Sequence, residues 1–142
     1  MEGSLWLLWP VWQLALALGT VSLLFGGMTL FAFGFAALVF TALPQDLART
    51  VIRRAFPPFY VWVIITAAIA AALLWSLDAW SAWLMALIAL STIPTRQVLM
   101  PAINATSDAG NQKAFRLLHG VSVVITLLHI GATAAVLVRF VV

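Results

Sequence analysis

From Leu14 to Thr41 the chain runs 28 residues without a charged side chain. A helix of that length reaches about 42 Å. The hydrocarbon core of a bilayer is about 30 Å thick, so this run crosses it with a tilt or with an end projecting. Composition agrees with a chain built for lipid. Apolar residues make up 65% of the 142 and charged residues 8%, and mean hydropathy is +1.14, far from the even mix of a soluble domain. Disorder is excluded by the same excess, which has to be buried or placed in lipid. The absence of cysteine excludes a disulfide scaffold, a thiolate metal site and a thiol nucleophile.

Three further runs have the length of a span. Tyr60 to Leu77 is dominated by Ala, Ile, Val, Leu and Trp and is closed by Asp78. Ala79 to Leu99 carries Pro94 and Arg96 near its end, where a missing N–H and a snorkelling guanidinium are both tolerable. Phe115 to Val138 is followed by Arg139. A cleaved signal peptide does not suit the start, because Glu2 stands where cations are expected and the apolar run is too long. The expected fold is therefore an all-α membrane protein: a single four-transmembrane-helix bundle over residues 1–142.

Between the first two spans, Leu47, Ala48, Val51, Ile52 and Ala55 recur at helical spacing, with Asp46, Arg49, Thr50 and Arg53 opposite. This pattern predicts a short amphipathic helix lying in the interface from Gln45 to Ala55. Pro57 and Pro58 are expected to end it. Its Arg49, Arg53 and Arg54 suit anionic lipid headgroups; a protein partner docking there is the alternative.

The pI of about 10.7 reflects scarce carboxylates rather than a nucleic-acid surface, for which seven Lys and Arg are too few. With four spans, six of those cations (Arg49, Arg53, Arg54, Arg96, Lys113, Arg116) fall on one side and Arg139 alone on the other. The positive-inside rule then makes both termini non-cytoplasmic in a multi-pass protein of a bacterial inner membrane. Tryptophan gives the same registration. Trp6, Trp9, Trp12, Trp75, Trp80 and Trp83 collect at the outer interface as an aromatic belt, leaving Trp62 with Phe56, Phe59 and Tyr60 at the inner one. On this topology the Asn104-Ala105-Thr106 sequon lies in the cytoplasm and is not a glycan acceptor.

Polar residues in a span face protein or water because lipid disfavours them. In the last span His119, Ser122, Thr126, His129 and Thr133 are spaced 3, 4, 3 and 4 and fall within one arc of about 80°. Such a stripe either fixes packing by bonding across helices or lines a polar path. Asn104, Asp108, Arg96, Arg116, His119 and Ser122 form the densest polar group, and a ligand site, if present, is expected there. Asp108 or Asn111 is expected to cap the last helix, and Pro101 to close the third.

Catalytic sets are not found. His119 and His129, ten residues apart, are separated by about 15 Å on a helix, too far to share a metal whose bonds are about 2 Å. The four carboxylates (Glu2, Asp46, Asp78, Asp108) all lie outside the spans, which argues against a pump-type relay and against paired-acid hydrolysis. Gly120-Val121-Ser122 lacks the second glycine of a nucleophile elbow. No metal, cofactor or catalytic residue is expected. Gly19, Gly26, Gly27 and Gly34 lie near one face of the first helix, and Ala67, Ala68, Ala70, Ala71 and Ala72 give the second a small surface, so another helix can approach closely. Packing within the bundle is the first explanation and a homo-oligomer the second.

Leu43-Pro44, Val51, Phe56-Pro57 and Phe59-Tyr60, followed by Phe115, His119-Gly120 and Ser122, make the sequence resemble transmembrane protein 205 and its bacterial relatives. Pro101, Asn104 and Asp108 strengthen the likeness to the bacterial members. The resemblance spans nearly the whole chain and implies a small four-helix membrane domain of unestablished activity. Some relatives carry a histidine early in helix one, where this sequence has Gln13 and Ala17. Taken together, the expected function is a small transport, stress-related or accessory membrane component without intrinsic catalysis. An accessory subunit of a larger membrane complex is the alternative, and a haem or metal oxidoreductase assembled between protomers a third.

Overall fold

The computed structural model describes residues 3–142, with side chains from residue 9 onward, so Glu2 and the side chain of Trp6 in the expectations above lie outside what is described. Four helices are long and apolar enough to cross a membrane: α1 (Trp9–Ala42), α2 (Gln45–Leu74), α3 (Ala79–Asp108) and α4 (Gln112–Arg139). No strand occurs among the described residues, and the all-α, four-span architecture read from the sequence is the one observed. The connections are short, so consecutive helices run antiparallel. The bundle closes as a ring in which α2 packs on α1 and α3, and α4 on α3 and α1.

The core follows one spacing. Ala17, Val21, Leu24 and Met28 of α1 and Val63, Ala67, Ala70 and Leu74 of α2 are buried at intervals of 4, 3 and 4. They meet Ala82, Met85, Ile88 and Ala89 of α3 and Val136 of α4. This is the spacing of a coiled-coil-like seam. Alanine at two of the four α2 positions lets backbones approach, which matters because packing rather than hydrophobic transfer holds helices together in lipid.

α1 ends where Pro44 forces Leu43 into extended geometry, with φ −118° and ψ 149°. Pro57 and Pro58 do not end a separate interfacial helix: α2 is continuous from Gln45 to Leu74 and contains both. The two prolines remove only the hydrogen bonds to the carbonyls of Arg53 and Arg54. Ala48 is buried in the turns before the prolines, and the rings of Phe56, Phe59 and Tyr60 pack on one another around them. The segment 45–55 is therefore the first three turns of α2.

Pro101 likewise does not close α3. A π-helical turn spans Thr95–Leu99, with the N–H of Met100 reaching the Thr95 carbonyl five residues back. Regular helix resumes at Met100, so Pro101 falls in a first turn where its missing N–H costs little. A second π-turn, Leu30–Phe35, interrupts α1. After α3, Gly110 adopts φ +67°, the left-handed conformation that suits glycine at a helix end. Asn111 then caps α4, its side chain accepting from the Ala114 N–H at 3.1 Å.

Candidate functional site

The polar residues at the end of the bundle that holds the α1–α2 and α3–α4 connections divide. Arg53 on α2 makes a two-point ion pair with Asp108 on α3, Nη2 to Oδ1 at 2.6 Å and Nη1 to Oδ2 at 3.2 Å. The same Nη2 donates to the Asn104 carbonyl at 3.4 Å. Asp108 thus pairs with Arg53, while Asn111 takes the capping role. Arg96 Nε donates to the Pro57 carbonyl at 3.3 Å, tying the π-turn of α3 to the proline pair of α2. Arg116 and His119 are exposed, and the His119 ring stacks on Phe115 of its own helix, 5.6 Å between centroids and 4° from parallel. Neither joins the Arg53, Asn104 and Asp108 group.

The rest of the helix-four stripe turns inward and meets polar groups that the sequence reading did not single out. His129 Nε2 lies 2.8 Å from Ser91 Oγ on α3, and Ser122 faces the hydroxyl of Tyr60 on α2. Thr126 and Thr133 bond back along α4, to the Ser122 carbonyl at 3.0 Å and the Ile130 carbonyl at 2.8 Å. Thr92 and Thr95 of α3 do the same, to Ile88 at 2.6 Å and Ser91 at 2.9 Å. Beside them lies a cavity of about 10 Å³ open to the centre of a water molecule, bounded by Met28, Tyr60, Thr92, Thr95, Thr126 and His129. Its size corresponds to about one water.

The hydrogen inventory fixes what this cluster offers. Ser91 spends its single hydroxyl hydrogen on the Leu87 carbonyl at 2.6 Å, so toward His129 it accepts. That assigns the ring hydrogen to His129 Nε2 and leaves Nδ1 as an acceptor. Thr92, Thr95 and Thr126 have likewise given their hydrogens to carbonyls and keep only lone pairs. Around the cavity these threonines offer acceptors, beside the hydroxyl of Tyr60, which carries a hydrogen of its own. Among the described residues no group of three or more His, Asp or Glu is placed to hold a metal ion.

The opposite end of the bundle carries a second polar group. Gln13 Nε2 donates to the Leu73 carbonyl at 2.7 Å and to Ser76 Oγ at 2.8 Å. Asp78 caps α3, accepting from the Ser81 N–H at 3.2 Å and its hydroxyl at 2.5 Å. It also pairs with Arg139 at the end of α4, Oδ2 to Nε at 2.8 Å. The Arg139 hydrogen bond, then those from Ser81, hold the Asp78 carboxyl down at about 2, against an ordinary value of 3.8. The guanidinium also lies 5.3 Å from the centre of the Trp80 ring. The pairing was legible in principle: four spans place Asp78 and Arg139, opposite in charge, at one end.

Comparison with known families places residues 19–112 in one whose description is "Domain of unknown function (DUF4149)". The match takes in Arg53, Tyr60, Ser91, Thr95 and Asp108 and stops as α4 begins, before Ser122 and His129. Comparison with curated proteins and with solved structures gave no match. The matched segment is about two thirds of the chain, which therefore belongs to the DUF4149 family of unknown function.

Proposed function

We propose that this chain is a non-catalytic accessory component of a bacterial inner membrane, working as part of a larger membrane complex rather than as a conduit by itself. One observation supports the reading: the polar interior has space for only about one water, with the hydroxyl hydrogens of Thr92, Thr95 and Thr126 committed to helix carbonyls. A conduit needs a continuous wet path, and His119, the residue nearest the inner mouth, is turned outward. The likeness to transmembrane protein 205 is of the same kind, implying a small four-helix domain of unestablished activity. Gentle detergent extraction followed by native mass spectrometry tests the proposal. A second, different polypeptide retained in stoichiometric amount is the expected result; a lone monomer or homodimer overturns it.

Orientation belongs to the same proposal, with both termini outside and Arg49 and Arg54 among inner-leaflet headgroups. Because the sequence has no cysteine, single-cysteine variants report it without interference. In intact cells a membrane-impermeant maleimide is expected to label Val141→Cys and to reach Lys113→Cys only after permeabilisation. The opposite pattern reverses the orientation.

A further inference from the structure

His129 is tied to α3 through one ring nitrogen only. Its Nε2 hydrogen goes to Ser91 Oγ at 2.8 Å, while Nδ1, the acceptor, has no bond to any described residue. Every fully buried side-chain nitrogen or oxygen among the described residues has a partner, so Nδ1 borders open space. The cavity of about 10 Å³ is such a space, and His129 shares its lining with Tyr60, Thr92, Thr95 and Thr126. Tyr60 is only 7% exposed, and a buried tyrosine hydroxyl calls for partners. Ser122 faces that hydroxyl from α4. With the serine donating, the Tyr60 hydrogen is left for the cavity.

Size and hydrogen count select the guest. Space of this volume takes about one water. An acyl chain or other organic molecule is larger. An ion would find no charged side chain among the lining residues, and its charge would stay uncompensated in a low-dielectric interior. A water needs about two to four polar partners. Here it accepts the Tyr60 hydrogen and gives its own hydrogens to His129 Nδ1 and to a lone pair of Thr92, Thr95 or Thr126. No donor is then left facing a donor. The placement matters because α2 and α4 are diagonal in the ring, each packed on α1 and α3. A molecule bonded to both Tyr60 and His129 joins the two helices that the ring does not bring side by side.

We propose that this cavity is the binding site of one resident water, held by Tyr60 and His129 and linking α2 to α4. Through Ser91 the link continues to α3. The site is independent of the accessory role: a dry cavity overturns the site and leaves that role standing, because neither one water nor none makes a continuous path. The test uses the full chain in lipid bilayers, labelled on the histidine ring nitrogens and observed by solid-state nuclear magnetic resonance. The sequence has two histidines, so His119→Gln identifies the His129 signals. Magnetisation selected on water is expected to reach the His129 ring, and Nδ1 is expected to resonate upfield of an acceptor nitrogen without a hydrogen bond. Thr126→Ile adds a carbon beside the cavity. It is expected to abolish the transfer and move Nδ1 to the unbonded position, with helicity by circular dichroism unchanged. A native Nδ1 in the unbonded position, or one that carries the ring hydrogen, overturns the site, as does transfer that survives Thr126→Ile in a folded chain. If that variant does not fold, the native Nδ1 resonance decides by itself.

Discussion

Replacing Gly27 by leucine is expected to destabilise the bundle by about 3 kcal/mol, the upper part of the range for overpacking a filled site, whereas the same change at Gly26 leaves stability within about 0.5 kcal/mol. The two glycines are adjacent, and their surroundings differ completely. Nothing lies within 4 Å of a β-carbon built on Gly26, while one on Gly27 runs directly into the indole of Trp62. That ring is wedged beside Phe59 and has no flexible end to move aside. Thermal unfolding in detergent, followed by circular dichroism, separates the pair. Equal melting temperatures for Gly26→Leu and Gly27→Leu would sink the explanation. The double variant Gly27→Leu with Trp62→Ala is expected to recover part of the loss, since residues in contact couple.

These glycines also show where reading the sequence stops. Gly19, Gly26, Gly27 and Gly34 read as one surface for close helix approach, yet only Gly27 is covered by a neighbouring helix. Gly19 and Gly26 are open, and Gly34 meets Leu30 of its own helix. Spans and helical class were legible because they depend on length and on charge along the axis. Which way each helix faces was not, because lipid and bundle core are both apolar and hydropathy carries little rotational signal. Where polarity broke that uniformity the sequence did speak: the α4 stripe was found, and Ser122 and His129 do face polar groups on other helices. Even there the reading stopped at one helix, since Tyr60, Ser91, Thr92 and Thr95 become its partners only through the turns that bring α2 and α3 alongside.

Loss of the Asp78 carboxylate is the other large expected effect, because three elements converge on it. It caps α3 through Ser81, binds Arg139 at the end of α4, and stands in the turn that leaves α2. Asp78→Ala removes cap and pair together and is expected to cost about 2 kcal/mol, mostly from the cap. Asp78→Asn keeps a capping oxygen and loses only the charge, so about half that loss is expected. Arg139→Ala is expected to cost less than Asp78→Ala, as its exposed guanidinium is screened by solvent and the cap on α3 stays in place. Acid sharpens the test. The folded carboxyl titrates at about 2, below its ordinary 3.8, so the folded state binds a proton less readily than the unfolded one. Its stabilisation is complete above the ordinary value and is lost as pH falls from about 4 to about 2. The melting temperature of the native chain is therefore expected to drop more steeply across that window than that of Asp78→Asn, which has nothing to titrate at this position. Parallel slopes for the two would show that Arg139 and Ser81 do not hold the carboxylate in its ionised form.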